Sequence, residues 1–229
     1  MTVYVTTSWD DGNELDIRLL KLMNKYGIKG TFYIPIKSDR TNLTKKEIKE
    51  ISKTQEIGAH TLNHIELANN PYNIQLKEIS ESKKQMEKIT GKPIKSFCYP
   101  RGSFDGNSIR AVKESNLKYA RTTERFCFKP SKNPLRNGTT CQTIIFKADV
   151  FKFLKINNFN PLSLQYVFNW NYFAEKMFLH AKKTNGIFHL WGHSWEIDEF
   201  NQWNKLERFF KFLSKQTDVE FITNIKTIA

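Results

Sequence analysis

The sequence predicts an α/β fold in which parallel strands alternate with helices and close, or nearly close, into a barrel. Three observations point there. Short runs rich in β-branched and aromatic residues alternate with stretches of helical periodicity along the chain. The strand candidates number about seven or eight, which suits a barrel better than an open sheet. The 229 residues are 39% hydrophobic and 14% aromatic, with 18 Phe, enough to bury a sizeable core. No repeat or low-complexity linker interrupts the chain, so residues 1–229 are read as a single domain.

Each element has a local reason. Residues 3–8 (VYVTTS) are a β-branched run and read as a buried strand. Residues 15–26 place Leu15, Leu19, Leu22 and Met23 at helical spacing, and Gly27 stands just past the end, where a left-handed cap is wanted. Residues 31–36 are the next strand, with Pro35 near its end. Thr44 with Glu47 three residues on makes a capping box that opens a helix over 43–52. A short strand at 55–59 precedes a long amphipathic helix at 74–90, stopped by Gly91 and Pro93. Strands at 94–99 and 118–122 flank a helix at 108–115. A strand-like stretch at 139–146, a helix at 163–183, a strand at 186–191, a helix at 203–214 and a strand at 219–223 complete the order. Segments 126–138 and 151–161 read as the two longest loops, each suited to shaping a substrate groove.

The formal net charge is +13, but the lysines are spread over the polar faces of helices. Zinc-finger spacing, aromatic RNA-binding motifs and dense Arg runs are all missing, which argues against nucleic acid as a partner. The start MTVYVTTSWDDG has neither a basic nor an apolar leader region and reads as the first strand. No stretch is long and apolar enough to span a bilayer, so no membrane partner is expected. Cys98, Cys127 and Cys141 fit neither a disulfide framework nor a CxxC zinc site. These features predict a cytoplasmic protein.

Residues able to carry chemistry gather where strands end. Asp10-Asp11-Gly12 follows the first strand. Adjacent carboxylates diverge at a turn, so one can bind a cation while the other acts as base; the alternative is an Asx turn capping the next helix. His60 and His64, in HTLNH, follow the strand at 55–59. On a helical turn that spacing puts both imidazoles on one side, within reach of one metal. Two imidazoles and a carboxylate with open positions suit zinc or another divalent ion that activates water. In FCYPRG a strand runs into a proline turn, which makes Tyr99 and Arg101 substrate or oxyanion candidates. In HLWGHSW, residues 189, 191 and 193 share a strand face. Trp191 is then an apolar wall and His193, at the rim, a general acid, while His189 reads as a core histidine.

In chain order these four segments resemble the motifs of the NodB-homology domain, the catalytic domain of the polysaccharide deacetylases (carbohydrate esterase family 4). The resemblance runs from Thr6 to Trp195, and the strand at 219–223 also fits. It implies a distorted (β/α) barrel of about six to eight mostly parallel strands. It implies Asp10 as catalytic base, His193 as general acid, and Asp11, His60 and His64 as ligands of one divalent metal ion, with zinc expected. Where the family carries an arginine before its proline turn, this chain has Cys98, and Arg101 follows the proline. Arg121, in ARTT, is therefore a second candidate for orienting Asp10. Trp9 replaces the usual Phe, and Asp149 and Trp170 are candidates for the Asp and Trp that tune the acid histidine in the family. The YPRG turn and the HLWGHSWE segment resemble the gellan-lyase-like branch.

The implied activity is metal-dependent removal of an N-linked, or O-linked, acetyl group from an amino sugar or polysaccharide; the charge is compatible with an anionic glycan. Two other readings stay open: an amidase acting on a non-sugar C–N bond with the same ligands, and a glycan-binding module without turnover.

Overall fold

β1 (Val3–Asp10) is buried along all but one of its positions, as a strand must be when a barrel interior lies on one side and helices on the other. The computed structural model, which describes residues 2–228, builds outward from it. In chain order there follow α1 (Asp16–Lys25), β2 (Gly30–Ile34), α2 (Lys45–Thr54), β3 (Glu56–Ala59), α3 (Tyr72–Thr90), β4 (Ser96–Cys98), α4 (Gly106–Glu114), β5 (Tyr119–Arg121) and β6 (Cys141–Gln142). Then come α5 (Val150–Ile156), α6 (Pro161–Tyr166), α7 (Trp170–Lys183), β7 (Ile187–Gly192), α8 (Ser194–Glu199), α9 (Trp203–Ser214) and β8 (Val219–Phe221). The capping box of α2 forms in both directions, between Thr44 and Glu47.

Every strand pairing is parallel, in the order β5-β4-β3-β2-β1-β7-β6. β8 shares an edge of β1 with β2: Val3 to Val5 pair with β8, and Thr7 to Asp10 pair with β2. The segment leading into β6 closes the ring. Asn137 bridges Arg121 of β5 and exchanges backbone hydrogen bonds with Ala120 and Thr122, while the Thr140 and Thr143 N–H groups donate to carbonyls of β7. The result is a distorted (β/α) barrel whose closing stave is mostly not a strand. Trp9, Phe32, Ile57, Phe97, Phe188, Phe209 and Phe210 belong to one buried hydrophobic cluster, whose packing fixes the strand ends that carry the polar residues.

Four local expectations change. The stretch 139–146 pairs only at Cys141–Gln142, because its other hydrogen bonds go to closing the ring. Segment 151–161 is largely helical: Phe153 stacks on Phe173 at 4.4 Å and draws α5 onto α7. The helix expected over 163–183 is two, because the Asn169 side chain accepts from Tyr172 N–H and restarts the chain as α7. Helix α8, directly after β7, was not anticipated. Among the described residues no helix is long and apolar enough to cross a membrane.

Candidate active site

β1 ends in a reversal that splits its two carboxylates. Asp11 (φ 80) and Gly12 (φ 66) are both left-handed, and a Cβ on Gly12 would lie 2.7 Å from the Ile34 side chain. The Thr41 hydroxyl donates to Asp11 O at 2.6 Å and the Asp11 N–H to Tyr33 O at 3.1 Å, which hold the strained residue in place. Asp10 consequently points down to Arg121, whose Nη2 donates to Asp10 Oδ2, and its buried Oδ1 accepts no hydrogen bond. Asp11 points toward the histidines. Its Oδ2 accepts from Trp195 Nε1 at 3.0 Å, and its Oδ1 lies 3.2 Å from His64 Nε2 and 3.8 Å from His60 Nε2.

The two histidines converge, but not on a helix. His60 closes β3, and Thr61 (φ 66) and His64 (φ 53) are both left-handed, so a tight loop carries the pair. Glu78 of α3 holds that loop: its carboxylate accepts from the Leu62 and Asn63 N–H groups, each at 2.9 Å, and from Asn63 Nδ2 at 2.6 Å. His60 Nδ1–H donates to Cys98 O at 2.8 Å, which turns Nε2 toward Asp11. Burial pushes the His60 imidazolium down to about 4, so at neutral pH the ring is neutral and Nε2 is a free lone pair. Burial alone would raise the Asp11 carboxyl, but the imidazoles of His64, His193 and His60 outweigh it and hold Asp11 below the ordinary carboxylate range.

These donors suit a divalent metal ion. Asp11 Oδ1 is a buried oxygen that accepts no hydrogen bond, and it lies with the two imidazole nitrogens inside a 4.8 Å cluster. Asp10, His60 and Cys98 meet the same spacing. There, however, Arg121 Nη2 already donates to both Asp10 Oδ2 and Cys98 Sγ, and burial keeps the Cys98 thiol protonated.

His193 ends β7 and is the N-cap residue of α8. Its Nε2 lies 3.8 Å from Asp11 Oδ2, and its Nδ1 lies 2.7 Å from Glu196 Oε2. Burial lowers the imidazolium, but Glu196, Asp10 and Asp11 outweigh burial and raise it. Glu196 occupies the third position of α8, from which an acidic side chain folds back over the N-cap residue. That spacing, His-x-x-Glu in HSWE, was the available sequence signal for it. Asp149 and Trp170 stand elsewhere: Asp149 accepts from Arg125 Nε at 2.8 Å, and Trp170 Nε1 donates to Gln142 O. His189 is buried with Nε2 2.8 Å from Ser8 Oγ, a core position.

The YPRG turn divides its residues differently from the sequence expectation. Tyr99 does not reach the site: its ring stacks on Phe104 at 4.8 Å, its hydroxyl donates to Leu135 O at 3.0 Å, and its N–H donates to Arg121 O. It is apolar packing that needs a tyrosine there. Arg101 (φ 54) sits at the apex of the turn, closed by the Gly102 and Ser103 N–H groups, and its own N–H is not among the turn's donors. Its exposed guanidinium pairs with Glu66 at 3.1 Å.

Asp10, Asp11, His60, His64, Arg101, Trp191 and His193 line one cleft of about 560 Å³. Arg121 lies beneath its floor, fully buried under Trp191, whose ring its guanidinium meets at 4.6 Å. Arg40 stacks on Trp195 at 4.1 Å at the mouth. Neither long segment expected to shape a groove, 126–138 or 151–161, lines this cleft.

Comparison with known proteins gives a consistent picture. A family model described as polysaccharide deacetylase matches residues 2–120. A Bacillus subtilis (strain 168) protein, YxkH, named as a polysaccharide deacetylase, is 27% identical over 124 residues, which are 52% of this chain and 44% of that protein. The chain thus spans less than half the length of that curated relative. Among solved structures, a Mycobacterium smegmatis protein named as a polysaccharide deacetylase superposes with a TM-score of 0.72 at 13% identity, covering 98% of this chain and 88% of the other. A family 4 acetyl xylan esterase from Clostridium thermocellum, in complex with a cobalt ion, gives 0.61 at 18% identity, covering 98% and 90%. Streptococcus pyogenes deacetylase PplD, in complex with acetate, gives 0.55 at 22% identity, covering 58% and 62%. At these identities the structural likeness speaks for the fold.

Proposed function

Because the chain belongs to the polysaccharide deacetylase family, we propose that it is a hydrolase that removes an N-linked acetyl group from an amino sugar or polysaccharide, with one divalent metal ion held by Asp11, His60 and His64. The observation that carries this reading is the convergence, in one cleft, of that three-donor cluster with an unengaged carboxylate oxygen on Asp10 and a protonatable His193. Zinc suits two imidazoles and a carboxylate, and the acetyl xylan esterase from Clostridium thermocellum is in complex with a cobalt ion. When bound, such an ion supplies Lewis acidity that polarises an acyl oxygen and lowers the pKa of water.

The chain's own groups do the rest. Asp10 takes a proton from the attacking water through Oδ1, while Arg121 on Oδ2 fixes the carboxylate's orientation. The Arg101 N–H meets the developing oxyanion. His193, whose protonated form Glu196 and the neighbouring aspartates favour, gives a proton to the leaving amine. Trp191 supplies an aromatic wall of the cleft against which the substrate can pack. Residues 1–229 act as one catalytic domain in this reading.

The test is acetate release from an N-acetylated oligosaccharide, measured before chelation, after chelation, and after restoring zinc or cobalt. Activity that is lost to chelator and regained with metal, and absent from Asp10→Asn, is the expected result. Release that persists in Asp10→Asn and ignores the chelator would sink the proposal.

A further inference from the structure

Of the eleven large hydrophobic side chains that stand exposed among the described residues, seven fall between residues 146 and 168. A surface that scattered its apolar residues at random would not gather them in one tenth of the chain, and exposed apolar residues concentrated in one segment mark an interaction site. The most exposed are Phe151 (67%), Phe168 (66%), Leu164 (62%), Phe159 and Leu162, carried by α5, α6 and the turns that flank them. Phe151 and Phe159 lie 5.9 Å apart, ring centre to ring centre, so the helix and the following turn present one surface.

The charges on this segment all have one sign at the surface. Lys147, Lys152 and Lys155 are exposed. The segment's only acid, Asp149, is buried and paired with Arg125. None of these residues lines the catalytic cleft, so the patch is not part of the proposed deacetylase site.

We propose that α5 and α6 form a docking face for an anionic lipid surface. Short amphipathic helices with Phe and Leu outward and lysines at the fringe lie in the interface plane, where the aromatic rings enter the acyl boundary and the lysines meet lipid phosphates. A second copy of the chain is the competing occupant. Pairing the same face of two copies about a two-fold axis would bring the lysines of one toward those of the other with no acid to offset them, and charge argues against it. The inference is independent of the deacetylase reading, since its readout is partition and not turnover.

The experiment is co-sedimentation of the full chain with vesicles of phosphatidylcholine alone or mixed with phosphatidylglycerol, across a range of salt. Partition onto the anionic vesicles, weakening as salt rises, is expected. Phe151→Ser with Leu164→Ser should reduce it by about tenfold or more, given what burying such side chains contributes. Lys152→Gln and Lys155→Gln should each reduce it by roughly fivefold. Circular dichroism and melting verify that the variants fold, and the lysine variants, at exposed positions, keep the test decisive if the apolar pair does not. Equal partition onto both vesicle types, no partition at all, or variants that bind like the parent would overturn the proposal. So would a concentration-dependent dimer in sedimentation equilibrium that the same substitutions abolish.

Discussion

Asp16 is a carboxylic acid in an unfavourable place, and replacing it should stabilise the protein. It opens α1 with its side chain fully buried, and neither carboxyl oxygen accepts a hydrogen bond. The Ser194 hydroxyl stands beside it and lowers its pKa only in part. A helix N-terminus favours an anion, but burial wins and pushes the acid from its ordinary 3.8 up to about 8, with Asp11 and Asp10 adding to the rise. Between those two values the native protein holds a proton that the unfolded chain has released, so stability falls as pH rises. Each unit of pH in that window costs about 1.4 kcal/mol, and from about pH 4.5 to about pH 7.5 the loss is roughly 4 kcal/mol. Asp16→Asn removes this dependence. A buried amide has its own unmet hydrogen bonds, costing about 1–3 kcal/mol, so the net gain near neutrality is about 1–3 kcal/mol. For a chain of this size that is roughly 3–10 °C in Tm. The cleaner quantity is the difference of differences: urea unfolding of both proteins at the two pH values, in chelator, where all other titrations cancel. The expected value is about 4 kcal/mol. Parallel pH–stability curves, agreeing within about 1 kcal/mol, would show that Asp16 is ionised or solvated in the native state and that the burial argument is wrong.

Other outcomes follow from the cleft. His60→Ala and His64→Ala should each lose bound metal by elemental analysis while keeping the native circular dichroism; full occupancy in both would mean that the ligands lie elsewhere. Asp10→Asn should retain metal and lose about 10²–10⁴-fold in kcat, as expected for one proton-transfer group. His193→Ala should lose a similar factor on an amide substrate and much less on an activated ester, whose leaving group needs little protonation; equal losses on both would make His193 structural. Glu196→Gln removes a carboxylate that raises His193, so the alkaline limb of the kcat profile should move to lower pH; an unmoved limb would assign that limb to another group.

The barrel and the strand-end position of its polar residues were legible because they depend on short-range pattern. β-branched runs, the capping box at Thr44 and the DDG and HTLNH segments are all local. What the sequence concealed has two physical sources. One is backbone conformation without its usual marker: Asp11, Thr61, His64 and Arg101 adopt positive φ with no glycine to announce it, so HTLNH reads as helical when it is a loop fixed by Glu78. The other is convergence between distant segments. Trp195 on Asp11 and Glu78 beneath the histidine loop are set by how helices pack around the barrel, and no spacing encodes them. Tyr99 shows the converse error. A tyrosine next to a chemically suggestive turn was expected in the cleft, but strand alternation sent its ring to the other side, against Phe104.

β1 draws its hydrogen-bonded neighbours from opposite ends of the chain, and this sets the order in which the molecule can assemble. β2 to β5 join through nearby crossovers and can pair early in synthesis. The opposite edge of β1 waits for β7, and the stretch beside β2 waits for β8. The Thr6 hydroxyl meets Asn224 across 218 residues of chain, and Trp195 meets Asp11 across 184. Closing such long loops slows folding, because their entropy is lost before the contacts that reward it are made. A ribosome-bound chain therefore carries its central strand with an open edge, and Asp11 without its tryptophan, until β7 and α8 have emerged. That interval, more than the finished barrel, is when this protein is most exposed to pairing with the wrong strand.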